Sequence, residues 1–415
     1  MVKKYTDNSV FLAALICILV FYSGLIKVKD RNSFISLIPH SDINAISGQL
    51  INSPQKTSNE KYYCAKLFVK ECKGEKLKGS AFGNIKIYIP VEIAEAFFPG
   101  KLYSKAGAFF EAGGIYSLQG SFGSDGQSFY VHSCLDYYFP DTIYGKLDYF
   151  RALCRLQFKR LLFSWGAGGG LLLALLCGAK EYTSSQISLS FKNAGLSHVL
   201  ALSGMHLSMF SGIALFLGKK IGRKKLSFII RIIALILFVW FAGFSPSLLR
   251  AFLCSMFMII ASLSNVKKPD MLMILAFSFL CQVIISPSDI YNSGFILSYT
   301  ALAGILLTNK FFKSFYNRFL PGYFSNSLGA STGAQVFTAP VSLKMFGTFA
   351  PIGIIATSVV SPVVTIFIYS GLLLIILSLL FPFLARPSGI FINLEYTVIK
   401  FLTAMFSKAF IWRIN

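Results

Sequence analysis

The sequence is poor in acidic residues and in histidine. Among 415 residues there are 17 aspartates and glutamates and four histidines, against 39 lysines and arginines. Four histidines, with cysteine spacings that match no zinc pattern, argue against a metal centre, so we predict neither metal nor cofactor. An ATP-binding loop is also missing, because GIALFLGKK at 212–220 has the wrong glycine spacing and no Ser or Thr after its lysine. Energy for any work must come from another protein.

Charged residues of either sign are scarce, and apolar residues are abundant. Apolar residues make up 55% of the chain and charged residues 13%, and the mean hydropathy is +0.64. These values are typical of a protein embedded in lipid. The net charge of +22 fits basic loops held in the cytoplasm or attraction to anionic lipid better than it fits nucleic acid. The composition therefore predicts a polytopic α-helical membrane protein.

One part of the chain is polar. An apolar run at about residues 10–26 follows two lysines and precedes no cleavage site, which predicts an uncleaved anchor helix within residues 1–30. Residues 43–140 then alternate between apolar and polar positions, with turn residues in between. We predict a small all-β domain here, inserted after the first transmembrane helix and built as an OB-like barrel. Such barrels often hold oligonucleotides or oligosaccharides.

Residues 145–180 predict an amphipathic helix followed by an incomplete crossing. Basic residues recur at helical spacing at Arg151, Arg155, Lys159 and Arg160. A cationic helix of this kind usually lies on a membrane surface or packs against a neighbour. The next segment, 161–178, is short and interrupted by glycines, which favours a re-entrant or interfacial piece.

Basic loops orient the remaining helices, which we place at 181–411. The loops at 219–225, 267–268 and 310–318 are basic, whereas 243–247 and 286–292 contain no lysine or arginine. By the positive-inside rule the basic loops are cytoplasmic and the β domain is extracytoplasmic. This parity excludes a crossing by 161–178, unless the N-terminal anchor is misassigned.

Several costly polar side chains occur in the apolar segments: His198, Ser203, His206, Arg250 and Lys344. Ionisable groups in a bilayer cost at least about 2.5 kcal/mol on insertion scales and usually face a bundle interior or a watery path. Ser203 and His206 share a helical face, and Gly204 allows another backbone to approach. Hydrogen bonding between helices explains them equally well. A Ser203–His206 nucleophilic pair is a further alternative, but no nearby acid would orient the histidine.

Four blocks of sequence resemble the ComEC family of competence proteins. They are LLCGAKEYTSSQISLSFKNAGLSHVLALSGMHLSM at 175–209, SPSLLRA at 245–251, SPSDIYNSGFILSYTALAGI at 286–305 and TAPVSLKMFGTFAPIGIIATSVVSPVV at 338–364. Members of this family are inner-membrane proteins through which transforming DNA enters bacteria, and they carry an extracytoplasmic OB-like domain. The resemblance implies that this chain is a channel component for uptake of single-stranded DNA during natural transformation.

The resemblance also implies a path and partners. The path residues are His198, Ser203, Gly204, His206, Arg250 and Lys344. Single-stranded DNA, membrane lipid, an outer DNA receptor, a cytoplasmic ATPase or helicase and further copies of the chain are the implied partners. Many members continue into a metallo-β-lactamase-like domain, but this chain has no His-x-His-x-Asp-His cluster. We therefore expect no metal-dependent nuclease and no enzyme. The alternatives are an intramembrane Ser/His hydrolase and a truncated structural relative without transport activity.

Lysine and tyrosine pairs give candidate DNA contacts in the β domain, because cations attract phosphates and bases stack on aromatic rings. They are Lys61 with Tyr62 and Tyr63, Lys86 with Tyr88, and Lys101 with Tyr103. An ordinary solvated strand has the same pattern.

Two cysteines of the β domain, Cys64 and Cys72, could bracket a hairpin in an oxidising compartment. They predict a disulfide, with Cys134 an equal candidate for either position.

Overall fold

The computed structural model describes residues 2–23, 34–57, 59–74, 78–96, 110–180, 182–202, 204–220, 224–243, 245–264, 266 and 269–413. Its strands are β1 Ile35–Ser36, β2 Ile43–Leu50, β3 Gln55–Lys56, β4 Tyr62–Gly74, β5 Lys78–Pro90, β6 Ile115–Phe122, β7 Ser128–Tyr138, β8 Thr348–Phe349 and β9 Trp412–Arg413. Its helices are α1 Val2–Tyr22, α2 Val91–Ala96, α3 Ile143–Ser164, α4 Gly166–Cys177, α5 Ser185–Asn193, α6 Ser197–Leu200, α7 Gly204–Lys220, α8 Lys224–Ala242, α9 Pro246–Leu263, α10 Met271–Ile285, α11 Ser293–Tyr316, α12 Gly322–Phe346, α13 Gly353–Leu380 and α14 Ala385–Ser407.

Five strands form a closed barrel. Antiparallel pairs join β2 to β4, β4 to β5, β2 to β6 and β6 to β7. A parallel pair between β5 and β7 completes the ring. The predicted OB-like all-β domain is therefore confirmed, and closure leaves each of these strands paired on both sides over part of its length.

Alternation of side chains builds the barrel. In β5, Ile85, Ile87 and Ile89 are buried, while Lys86 is exposed and Tyr88 is half-buried on the outside. Successive side chains of a strand point to opposite faces, so the isoleucines fill the interior and the others cover the surface. The same rule decides which tyrosines and lysines are available for binding.

The helical part has the surface of a membrane protein. Four segments are long and apolar enough to cross a membrane: α9, α11, α13 and 382–407, which contains α14. Large apolar side chains on their outer faces are exposed, including Ile366, Leu373 and Leu379 of α13. Apolar surfaces of this extent are expected where lipid is the solvent. The predicted polytopic helical architecture is confirmed.

Helix α4 lies in the core of the bundle. Its residues Gly168 to Cys177 are all buried, and they belong to a core that includes Phe367 of α13 and Ile392 of α14. With 12 residues it is only about 18 Å long, shorter than the roughly 30 Å hydrocarbon core of a bilayer. This length suits the predicted re-entrant or interfacial segment, whose position relative to lipid stays a prediction.

A polar side chain from α14 holds the break between α3 and α4. The chain turns at Trp165 and Gly166, where φ of the glycine is +66°. The Asn393 amide nitrogen donates to the Trp165 carbonyl at 2.6 Å, and its oxygen accepts from the Gly168 backbone at 3.0 Å. Both partners are helix-terminal groups that would otherwise lack a hydrogen bond inside the core.

A buried ionic cluster joins the barrel to the bundle. The carboxylate of Glu111, just before β6, accepts from Arg155 Nε at 3.1 Å and from Lys159 Nζ at 2.6 Å, both on α3. Ser53 donates to the same carboxylate at 2.6 Å. Arg155 Nη1 also donates to the Phe241 carbonyl at the end of α8, at 2.9 Å. The barrel, helix α3 and the end of α8 are thus joined through one cluster of ion pairs and hydrogen bonds.

The electrostatics of Glu111 follow from these contacts. Burial alone would raise its pKa, but Arg155, Lys159 and the hydrogen bonds outweigh burial and lower the pKa to about 2. Of the two alternatives for the cationic helix, packing against a neighbour is the one found for these two residues. Their charges face the protein interior.

The predicted Cys64–Cys72 disulfide is wrong. Both residues lie on β4, which is an extended strand and not a hairpin, and at about 3.3 Å per residue they are more than 20 Å apart. A bulge between Val69 and Glu71 also reverses the alternation, so Cys64 faces outwards and Cys72 faces the core. Cys134 is free as well.

Candidate nucleic-acid interface

Three tyrosines lie together on the outside of the barrel. We name Tyr62 of β4, Tyr88 of β5 and Tyr130 of β7 the tyrosine patch. The rings of Tyr88 and Tyr130 are stacked, with centroids 5.2 Å apart and 17° between their planes. Tyr62 stands edge-on to both, at 6.3 Å and 5.8 Å. The patch arises because the parallel β5–β7 pairing puts Tyr88 directly opposite Tyr130.

Three lysines lie beside the tyrosine patch. A cleft of about 270 Å³ is lined by Lys56, Lys66 and Lys86, which we name the lysine cleft. Lys66 and Lys86 are direct cross-strand neighbours on β4 and β5. Like charges in this position repel each other, and none of the ion pairs in the described residues includes a cleft lysine. An anion bound in the cleft would relieve this repulsion.

The residues predicted for this surface differ in position and burial. Lys86 and Tyr88 belong to the cleft and the patch. Tyr63 is fully buried in the barrel core, so it cannot contact a strand of DNA on the surface. Lys61 is exposed just before β4. Lys101 and Tyr103 lie outside the described residues.

Sequence reasoning missed Tyr130, Lys56 and Lys66, and it named both Tyr62 and Tyr63 without deciding which of them faces outwards. Tyr62 and Tyr63 are adjacent, so only one of them can face outwards, and the choice depends on strand register. Tyr130 reaches Tyr88 through a parallel pairing between strands distant in sequence. The alternation in β4 was the one available signal, because Tyr62, Cys64 and Lys66 all fall on one face.

A second polar region lies inside the bundle, where Arg250 of α9 meets Gly204, the first residue of α7. A Cβ atom on Gly204 would lie 3.1 Å from Arg250 Nη2. Arg250 Nη1 donates to the Ser298 carbonyl of α11, and its Nε has no hydrogen-bond partner. Throughout the described part of the chain no carboxylate pairs with Arg250. The guanidinium is held in place but its charge is not neutralised.

Polar side chains buried in the apolar segments form a hydrogen-bond network on the helices around this arginine. Tyr299 of α11 donates to Gln282 at 3.1 Å and to Ser278 at 3.4 Å, both on α10. Cys254, one turn after Arg250 on α9, donates to Ser278 at 3.3 Å, and Gln282 donates to Asp289 at 3.1 Å. Ser278 and Gln282 are fully buried. Their spacing of four residues on one helix face was a signal for this network.

The other predicted path residues differ in burial and position. His206 of α7 is fully buried, and His198 of α6 is exposed. Lys344 is exposed in the last turn of α12. Ser203 lies outside the described residues. The role of all six in a DNA path stays a prediction.

The first and last sequence blocks meet at two glycines. Gly195, which precedes α6, has a φ of +71°, and a Cβ on it would lie 2.9 Å from the Gly353 Cα at the start of α13. Gln335 of α12 contacts the same point, and its side-chain oxygen has no hydrogen-bond partner. The turn at Gly195 therefore packs backbone to backbone against Gly353, which belongs to the sequence block at 338–364.

Comparison with known proteins finds similarity mainly in the helical part of the chain. A family model described as Competence protein matches residues 175–413. The chain is 26% identical over 208 residues to ComE operon protein 3 of Bacillus subtilis (strain 168), a match that covers 49% of this chain and 25% of that protein. It is 28% identical over 240 residues to an uncharacterized protein of Aquifex aeolicus (strain VF5), covering 57% and 53%.

The chain thus spans between a quarter and about half of the length of these relatives. No solved structure matches it significantly. The family model covers the helical bundle from α4 to β9, which contains Gly204, Arg250 and the two packed glycines. Because that model matches more than half of the chain, the chain belongs to the competence protein family.

Proposed function

We propose that the chain is a channel component of the bacterial inner membrane, through which single-stranded DNA enters the cell during natural transformation. The observation that carries the proposal is the tyrosine patch beside the lysine cleft, on a barrel connected to a competence-type bundle. Single-stranded DNA needs both a cationic track for phosphates and aromatic faces for bases. Family membership supports the role in DNA uptake.

Contact with DNA begins on the barrel. Phosphates bind in the cleft at Lys66 and Lys86, whose mutual repulsion the bound anion relieves. Bases stack on the exposed ring face of the Tyr88–Tyr130 pair, on the side of Tyr130. Such stacking tolerates any base sequence, as uptake of arbitrary DNA requires.

Inside the bundle Arg250 contacts the phosphates. Its side chain is oriented by the Ser298 carbonyl and stands beside the start of α7. A cation without a carboxylate attracts a passing phosphate without having to break an ion pair first. Gly204 lets the guanidinium approach the start of α7 closely, because a Cβ there would lie 3.1 Å from Arg250 Nη2.

The direction of transport follows from the loops. The barrel lies outside the cell and the basic loops at 219–225 and 310–318 lie in the cytoplasm. A receptor outside delivers the strand, and a cytoplasmic ATPase or helicase pulls it inwards. The proposal gives the chain no catalytic step.

The barrel contacts are tested by the affinity of the full-length protein, in lipid nanodiscs, for a fluorescent single-stranded oligothymidylate. Tyr88→Ala should weaken binding between about fivefold and a hundredfold, since stacking contributes roughly 1–3 kcal/mol per base. Lys86→Gln should lower the salt dependence of binding by about one ion. Phe82→Ala and Lys78→Gln are matched controls, because both residues lie on β5 outside the patch and the cleft. Equal effects in the controls would contradict the assignment.

The transport role is tested in cells. Deletion of the gene should abolish transformation while DNA capture at the cell surface remains. Normal transformation in the deletion strain would leave the chain a structural relative without transport activity.

A further inference from the structure

Helix α3 has its polar and apolar faces in the reverse of the usual arrangement. Arg155 and Lys159 are turned inwards and buried at Glu111. On the opposite side Ile143, Leu147 and Phe150 are 78%, 48% and 57% exposed. A surface helix in water buries its apolar face and exposes its charges. In α3 the first half of the helix presents hydrocarbon to its surroundings.

This apolar face continues the exposed apolar surface of α8. Phe150 stacks on Trp240, with ring centroids 6.1 Å apart and 22° between planes. Along α8 the exposed side chains below Trp240 include Ile233 and Leu237. A ridge of apolar groups therefore runs from α8 across the Phe150–Trp240 pair and onto α3 without a polar break between these residues.

The contact with α8 also fixes where α3 lies along the length of that helix. Arg155 donates to carbonyls of Phe241 and Ala242, the last two residues of α8, and Phe158 packs on Phe241 at 5.0 Å. The middle of α3 thus crosses the end of an apolar helix. Tyrosine and tryptophan are enriched at the interfaces of a bilayer, and Tyr144 is exposed on α3 itself.

A cleft opens beside the same turn of the helix. It has a volume of about 360 Å³, and its walls include Tyr138, Phe139 and Tyr149. Lys146 and Asp141 lie at its edge and pair with each other at 3.2 Å. Aromatic walls with a charged rim suit the glycerol and headgroup region of a phospholipid.

We propose that residues 143–150 of α3 lie in the lipid interface, with Ile143, Leu147 and Phe150 in contact with acyl chains, and that this helix seats the barrel on the membrane surface. Phospholipid is favoured as the occupant because the face continues that of α8 and ends in an interfacial aromatic and charged rim. The ionic cluster on the inner side of α3 then holds the barrel to a helix that the bilayer holds from the outer side.

Photo-crosslinking in vesicles of phosphatidylethanolamine and phosphatidylglycerol tests this proposal. Benzoylphenylalanine replaces Leu147 or Phe150 in the full-length protein, with Ile236 on the exposed face of α8 as the positive control and Glu92 on the barrel as the negative control. Gel filtration in detergent checks that each variant is folded. We expect phospholipid adducts, identified by mass spectrometry, at 147 and 150 in yields within about threefold of those at 236, and none at 92.

Adducts at 147 and 150 to a second copy or to another protein, with lipid adducts confined to 236, would overturn the proposal. Absence of any lipid adduct at 147 and 150 while 236 reacts would overturn it equally. Neither result depends on DNA transport.

Discussion

Two arginines in this chain have opposite surroundings. Arg155 is buried at the junction of barrel and bundle, where Glu111 and the carbonyl end of α8 accept its hydrogen bonds. Arg250 lies inside the bundle, bound to the Ser298 carbonyl and to no carboxylate in the described residues. Breaking a buried pair leaves a charge uncompensated, whereas removing an unpaired charge leaves none. The first arginine therefore maintains the structure, and the second is available to a passing anion.

The largest change in stability is expected from Glu111→Ala. This variant leaves Arg155 and Lys159 buried without their carboxylate, which should lower the free energy of unfolding by about 3–5 kcal/mol. Thermal unfolding of the detergent-solubilised protein measures the effect. Glu71→Ala removes an exposed partner of Lys78 and serves as the control. Its effect should be much smaller, because water screens an ion pair on the surface. Equal midpoints for the two variants would refute the structural role of the cluster.

Acid should act on the same cluster with a somewhat smaller effect. The pKa of Glu111 is lowered to about 2 in the folded protein, below the value of about 4.3 for an unfolded glutamate. A lowered pKa stabilises the folded state above the unfolded value, and this contribution is lost as the pH falls from about 4.3 towards 2. The contribution amounts to about 3 kcal/mol.

The melting temperature should show this loss as an acid-dependent step. In Glu111→Gln the step between pH 5 and 2 should shrink relative to the natural protein. Between pH 8 and 5 the Glu111 carboxylate stays ionised in the folded and unfolded states, so it should contribute little change there. An undiminished step in the variant would assign the acid sensitivity to other carboxylates.

Arg250→Met should change stability by about 1 kcal/mol or less, because it removes the cost of burying a charge together with one hydrogen bond. Transformation should nevertheless fall at least tenfold, and Arg250→Lys should restore part of it by keeping the charge. Transformation frequency and thermal midpoint are measured on the same variants. A loss of stability as large as that of Glu111→Ala would make Arg250 a structural residue like Arg155.

The two arginines also differ in how far their surroundings could be predicted from the sequence. Arg250 was identifiable because a charge within an apolar run is costly wherever the helix lies. Glu111 was not, since its partners Arg155 and Lys159 on α3 are more than 40 residues away in sequence. The barrel followed from alternation and turns, while Tyr63 was wrongly assigned to the surface because register decides which neighbour faces outwards. Cys72 was assigned wrongly for a similar reason, since a bulge turned it inwards.

The smallest effect on stability concerns the space beside Arg250. In Gly204→Ala the new methyl group would lie 3.1 Å from Arg250 Nη2 and 3.3 Å from the Ala251 Cβ. The side chain of Arg250 must then shift by a few tenths of an ångström. On the same helix Gly212→Ala is the matched control, because a Cβ there meets nothing within 4 Å.

Both glycine substitutions should raise helix propensity by up to about 1 kcal/mol, so unfolding midpoints should stay equal or rise slightly. Transformation should fall only in Gly204→Ala, and by less than in Arg250→Met, because the guanidinium is displaced but keeps its charge. If the two glycine variants transform equally, the close contact with Gly204 does not position Arg250. The unpaired arginine would then have to reach the strand from its other side, past Cys254 and Tyr299.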